Sequence, residues 1–353
     1  MLSTKVMGTA ASSSFPPEAN GHRRRILVCL ERSAFSEVCV PYAISLAKTF
    51  KSAITLLHVM QPQDIHAGPQ ANDALSWEIT RQEALGHLER IKIEVEQALG
   101  QPVDMRLEQG HPAERILDVG RELACDLIVL GSHGESGVTP WNLGSTVQQV
   151  LAVTRRSVLI VHSSTIAPTT VSLKRILVPL DGCVRTESVL PAAARLASEH
   201  NAEILLAHVV HEPIPTTLLY TAEDMALAQQ LASRLESGAK RYLERLQQQL
   251  QQQQLRHKVT SVVTSVLRHA NERQCLLEFA QKEHPDIIVL SAHGAACDSA
   301  RPFGSVTSYL LTHSTVPLLV LQDLPECDLH QANEFDTQQT ISPLRASYAS
   351  ERT

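Results

Sequence analysis

Apolar residues along this chain follow two alternating rhythms. Short runs such as Ile26 to Leu30, "AITLLHV", "DLIVL" and "SVLIVH" carry almost no polar position, which is the pattern of strands buried on both faces. Between them, "EVCVPYAISLAKTF", "ALSWEITRQEALGHLERIKIEVEQAL", "GHPAERILDVGRELA" and "STVQQVLAVT" place apolar residues at helical spacing. Pro112 suits the first turn of its helix, where a missing N–H costs nothing, and Gly100 marks the end of the long one. "VDMRLEQG" alternates as a further strand. Strands alternating with helices predict an α/β fold, a parallel sheet covered on both faces.

The pattern then repeats. Arg25 to Val59 and Arg175 to Val209 align without a gap at an offset of 150, with fourteen of thirty-five positions identical. Later parts align at an offset of 160: Asp126 with Asp286, Gly134 with Gly294, Gly144-Ser145 with Gly304-Ser305. A repeat of about 150 residues is a whole domain rather than a solenoid unit. The chain therefore reads as a leader (1–23), a first domain (24–162), a linker (163–173), a second domain (174–322) and a tail (323–353), with leader and tail disordered. Ten extra residues enter the second copy near "RLQQQLQQQQLRHK". Leu243, Leu246 and Leu250 recur through the Gln run at helical spacing, which predicts one long helix from about Ala222 to Leu255 with a Gln-rich solvent face; an interaction tract is the alternative.

Composition narrows the function classes. Aromatics make up 4% of the 353 residues and the net charge is −6, so neither stacking platforms nor a basic face for nucleic acid is expected. No apolar stretch approaches the roughly 18 residues that span a bilayer, so no membrane partner is expected. The seven cysteines, at 29, 39, 125, 183, 275, 297 and 327, include no Cys-x-x-Cys, and Cys29, Cys125 and Cys275 read as reduced core thiols. No metal-ligand spacing is present.

Candidate chemistry concentrates in two loops, "LIVLGSHGESGVTPWNLGSTVQQVL" from Leu127 and "IIVLSAHGAACDSARPFGSVTSYLL" from Ile287. Each follows an apolar strand at the carboxyl edge of a parallel sheet, where ligands bind in open α/β folds. Gly131 and Gly134 permit close backbone approach and positive φ. Gly144-Ser145-Thr146 opens the next helix and turns its free amides and two hydroxyls towards the same place. An anion site of phosphate size is one reading; a tight turn and a capped helix without a ligand is the other. No Gly-Lys dipeptide occurs, which excludes a Walker loop, and no glycine lies between Ile26 and Ser33, which excludes a dinucleotide fingerprint.

Gly131-x2-Gly134-x9-Gly144-Ser145, together with "RILVCLE" and "LLHV", resembles the universal stress protein family, and the resemblance covers both repeats. It implies two tandem adenine-nucleotide α-hydrolase-like domains, each a five-stranded parallel sheet of order 3-2-1-4-5 flanked by helices. It also implies a cytoplasmic setting, a role in stress-response regulation, and dimeric packing that uses the fifth strand as an edge. In ATP-binding members the glycine loop holds ribose and phosphates, with or without magnesium, while an Asp after strand one and a Val after strand two hold the adenosine end. Carried over, the first domain matches at Val59, Gly131, Gly134, Gly144 and Ser145, flanked by His133 and Thr146, but has Glu31 for the usual Asp and Cys29 for the usual Pro. The second has Pro179, Asp181, Val209, Gly294, Gly304 and Ser305, but Ser291 for the first glycine, where a Cβ would obstruct any backbone that needs positive φ.

The leading expectation is thus a regulator that binds ATP or a related adenine nucleotide, its loop better preserved in the first domain. The alternative is a nucleotide-free scaffold that engages an unidentified protein partner; a slow ATPase is the third reading. His133 and His293 share one loop position without a sequence partner and are not assigned a catalytic role; His58 and His208 are expected inside the fold. If Val158 to Val161 pairs with Val316 to Leu321, one chain forms an internal pseudo-dimer and buries both edges.

Overall fold

Arg-Ile-Leu-Val, met twice in the sequence, forms the centre of each half of a single sheet. The computed structural model describes residues 24–61, 74–132, 143–162, 170–211, 221–252, 261–296, 298 and 300–322. The leader, most of the linker, the tail, and residues 253–260 beyond the long helix lie outside them. The first half runs β1 (Arg25–Leu30), α1 (Ala34–Glu37), α2 (Cys39–Phe50), β2 (Ala53–Met60), α3 (Ala74–Leu99), β3 (Asp104–Gln109), α4 (Pro112–Glu122), β4 (Leu127–Gly131), α5 (Ser145–Val153) and β5 (Ser157–Val161). The second runs β6 (Arg175–Pro179), α6 (Val184–Glu187), α7 (Leu190–His200), β7 (Glu203–His211), α8 (Ala222–Gln252), β8 (Ser261–His269), α9 (Glu272–Glu283), β9 (Ile287–Ser291), α10 (Ser305–His313) and β10 (Leu318–Leu321).

Ten strands form one sheet in the order β3-β2-β1-β4-β5-β10-β9-β6-β7-β8. Within each half the order is 3-2-1-4-5 and the strands are parallel; the halves meet where β5 and β10 pair antiparallel, Leu159 opposite Leu319, Leu318 opposite Ile160 and Val320 opposite Val158. The expected pair of five-stranded sheets is therefore one continuous sheet, and the fifth-strand edges are consumed inside the chain. Side chains alternate across the seam. Leu159 and Leu319 join a core under α2, α3, α7 and α8, while Val158, Ile160, Leu318 and Val320 join a second core under α4, α5, α9 and α10. Both cores run unbroken through the two halves.

Local sequence explains most boundaries. The helical run after β1 divides at Val38 into α1, which Ser33 caps by accepting from the Ser36 amide, and α2, whose Pro41 has no amide to offer the Glu37 carbonyl. α2 and α7 end on Lys51 and Asn201, both left-handed at φ 53°, and Ala124 and His284 form a second left-handed pair. Duplication thus preserved the backbone of these turns while the side chains diverged. Asp126 and Asp286 likewise each accept an amide from the start of the first strand of their half, Arg25 and Arg175, at 2.8 Å. The Gln-rich run continues α8, with Leu243, Leu246 and Leu250 buried and Gln248, Gln249, Gln251 and Gln252 exposed. Across α2 and α7 the halves also touch through Ser45 Oγ and His200 Nε2 at 2.7 Å, and through Arg195, which donates to the Thr49 carbonyl at 3.0 Å. No helix among the described residues is long and apolar enough to cross a membrane.

Leu159 is fully buried at the seam. Leu159→Ala should therefore cost about 2–5 kcal/mol, the range for emptying a core leucine site. Because both halves share each core, urea unfolding followed by circular dichroism should remain one transition at a lower midpoint.

Candidate functional site

Strand order reverses between β1 and β4 and again between β6 and β9, so a crevice opens at the carboxyl ends of each pair. Glu31 and Gly131 stand at the first crevice, Asp181 and Ser291 at the second. The two loops that leave these points are pinned alike. Ser132 donates its amide to Val161 and accepts from the Gly144 amide, both at 2.8 Å; Ala292 does the same with Leu321 and Gly304, again at 2.8 Å. Gly144 and Gly304 then cap α5 and α10 without a side chain, which leaves Ser145-Thr146 and Ser305 in the first turns, where helix amides lack intrahelical partners. His133 and Gly134 of the first loop lie outside the described residues.

Two expectations about the glycines change. Gly131 closes β4 as an extended residue opposite Val161, so it does not supply the positive φ anticipated for it. Ser291, its counterpart, is equally extended opposite Leu321; its hydroxyl donates to the His293 carbonyl at 2.6 Å and its carbonyl accepts from Thr307 Oγ1 at 2.9 Å. A Cβ at this position strains nothing, and the hydroxyl braces the loop. Positive φ falls instead at Gly182, φ 88°, directly after Asp181. Its signal was the Asp-Gly turn pair, present only in the second domain.

Asp181 joins the two sides of the second crevice. Oδ1 accepts from the Thr186 hydroxyl at 2.7 Å and the Cys183 amide at 3.0 Å, while Oδ2 accepts from the Ala295 amide at 2.7 Å. Burial alone would raise its pKa, but hydrogen bonds from Cys183, Thr186 and Ala295 outweigh it and hold the carboxyl below its ordinary range. A Cβ at Gly294 would stand 2.4 Å from Asp181 Oδ2, so a side chain there would displace the carboxylate from its present hydrogen bonds. In the first crevice Glu31 is exposed, and its backbone is fixed by Ser36, whose hydroxyl donates to the Glu31 carbonyl at 2.7 Å and accepts its amide at 3.0 Å. Val59 and Val209, half-buried at the ends of β2 and β7, both pack on the second core.

The histidines are structural posts. His58 and His208 donate from Nδ1 to the Leu30 and Leu180 carbonyls at 2.9 and 2.8 Å, tying the ends of neighbouring strands together. His293 is buried and bonds through Nε2 to the Arg301 carbonyl at 2.9 Å. The five thiols among the described residues are free. Burial pushes Cys39 up to about 12 and Cys125 to about 11, so both are inert, and Cys29 rises for the same reason. Cys275, expected in the core, is only half-buried.

One contact between the halves has no local signal in the sequence. Arg155, between α5 and β5 of the first half, forks onto the second loop, donating to the Ala300 and Arg301 carbonyls at 2.8 Å each. Antiparallel pairing of β5 with β10 makes this possible, because the start of β5 lies beside the carboxyl ends of β9 and β10. The equivalent residue of the second domain is Thr315, too short for the same reach.

Comparison with known proteins agrees across both halves. The sequence model of the universal stress protein family matches residues 22–162 and 172–322. A universal stress protein of Mycolicibacterium smegmatis is 24% identical over 306 residues, covering 84% of this chain and 96% of its own. One from Thermus aquaticus is 29% identical over 141 residues, 39% of this chain and 98% of its own. Among solved structures, a universal stress protein from Archaeoglobus fulgidus superposes with a TM-score of 0.58 at 16% identity, covering 85% of this chain and 98% of its own, a likeness of fold.

Two outcomes follow from the second crevice. With its pKa below the unfolded value near 3.9, ionised Asp181 stabilises the fold above about pH 4, and that contribution disappears as pH falls through the lowered value. Thr186→Val should remove no more than about 1 kcal/mol at pH 7 and less at pH 3, since Asp181 is partly exposed; urea unfolding at the two pH values measures the difference. Arg155→Ala should accelerate hydrogen exchange at the Ala300 to Gly304 amides roughly five- to tenfold, corresponding to about 1 kcal/mol, and leave β1 to β4 unchanged by mass spectrometry.

Proposed function

The chain belongs to the universal stress protein family, and from that premise we propose that it binds ATP or a related adenine nucleotide in its two crevices. Occupancy is then read by an unidentified protein partner in a cytoplasmic stress response. The observation that carries this reading is the 2.7 Å contact between Asp181 and the Ala295 amide, beside a glycine whose Cβ would displace that carboxylate. The acid of one strand end and the glycine loop of the next thus lie within hydrogen-bonding distance, at the point where α/β folds hold nucleotides.

In the second domain Asp181 and Val209 take the adenosine end, and the loop at Gly294 with Gly304 and Ser305 takes the phosphates. In the first, the adenosine end is assigned to Glu31 and Val59, and the phosphates to Gly131, His133, Gly134, Gly144, Ser145 and Thr146. Helix amides and glycine backbone suit phosphate oxygens without a lysine. Magnesium enters only as a companion of the ATP phosphates. A nucleotide in the second crevice exchanges its own hydrogen bonds for the Asp181 to Ala295 contact, which couples occupancy to loop position. No residue is assigned to catalysis, since His293 is buried and engaged. The scaffold reading keeps one supporting observation: Asp181 is already satisfied by its own chain.

Gly144 at φ −58° and Gly304 at φ −69° occupy backbone that any residue adopts, and a Cβ at Gly304 would make ordinary contacts of 3.5 Å with the Ala292 carbonyl oxygen and His293 Cα, so valine there adds bulk against the loop. Calorimetric titration with ATP should show binding that each single variant, Gly144→Val or Gly304→Val, weakens at one site by at least about tenfold. The double variant should abolish it. ATP binding that survives the double variant, or none in the wild type, refutes the reading.

A further inference from the structure

Four of the nine large apolar side chains exposed among the described residues lie on the first half of α8: Met225 (62% exposed), Leu227 (66%), Leu231 (51%) and Leu235 (46%). Leu227, Leu231 and Leu235 recur every four residues, about one turn apart, and form a continuous stripe. The helix is not short of a core. Ala232, Ala239, Leu243, Leu246 and Leu250 are buried on its adjoining flank, where it packs on β7 and β8. The leucine stripe is thus a second apolar face, and contiguous exposed patches of this kind mark interaction surfaces. Gly238 extends it, and a Cβ there would meet nothing within 4 Å.

We propose that this stripe docks on the same stripe of a second copy of the chain, the two α8 helices crossing antiparallel at Leu231. Charge placement selects this occupant. The first turn of α8 is acidic, with Glu223 and Asp224, and Arg234 and Arg241 are exposed further on. Glu223 and Arg241 are eighteen residues apart, about five full turns, so they lie along one edge of the stripe. A parallel pair would set acid against acid. Antiparallel crossing at Leu231 sets Leu227 against the second copy's Leu235 and brings Glu223 within about one turn of the second copy's Arg241, twice by symmetry. It also opposes the helix dipoles. Topology agrees: the fifth-strand edges already pair inside the chain, whereas α8 covers β7 and β8 at the outer end of the sheet.

The full chain should sediment as a concentration-dependent monomer–dimer mixture in the micromolar range. Leu231→Glu should raise the dissociation constant at least about a hundredfold, because each substitution enters the interface twice, with an unchanged circular dichroism spectrum. Glu223→Arg should weaken the dimer, and adding Arg241→Glu in the same chain should restore it. Leu231→Cys should yield, under mild oxidation, a peptide joined through position 231 of both copies. A wild type that stays monomeric throughout, as when another partner or another part of the chain covers the stripe, overturns the proposal. So does a dimer indifferent to Leu231→Glu, or a charge swap without rescue.

Discussion

Antiparallel pairing of β5 with β10 is the constraint on which the rest of this molecule depends. Each five-stranded half would otherwise expose a fully apolar edge strand, with unpaired amides and carbonyls that invite association. Joining the edges removes that liability and makes one ten-stranded sheet. The alternation of side chains across the seam then merges the cores on both faces.

The seam also arranges the crevices. Because the halves run in opposite directions, their carboxyl ends open at opposite ends of the sheet, and each lies beside the start of the other half's fifth strand. Arg155 uses that adjacency to hold the second loop; the residue in the corresponding place of the second half is Thr315, which has no guanidinium. Hydrogen bonds from a guanidinium to two carbonyls on one loop are stronger than neutral ones and fix direction as well as distance.

Inside the second crevice, Asp181 shows how a short motif acquires a defined geometry. Its three partners come from the turn after β6, from α6 and from the loop after β9. The acid therefore reports on loop position. Gly294 leaves space for the carboxylate, and Ser291 braces the same loop through the His293 carbonyl. The departure of Ser291 from glycine, which suggested obstruction, is harmless because strand geometry prevails there. Positive φ is needed instead in the turn after β6, at Gly182.

By itself the sequence determined the α/β class, the duplication, the apolar strands, the long Gln-rich helix and the two loops, because burial periodicity and glycine spacing are local signals. It also pointed to the β5–β10 seam, since an apolar fifth strand must find a partner. Left-handed helix ends at Lys51, Asn201, Ala124 and His284 escaped it, as none is a glycine and the surrounding fold imposes the conformation. Tertiary structure alone decided that Asp181 reaches the Ala295 amide, that Arg155 crosses to the other half, and that Leu227, Leu231 and Leu235 stay outside the core. The physical reason is tertiary in each case: residues more than a hundred apart meet only after the sheet has formed, and whether a helical leucine is buried depends on which flank the sheet covers.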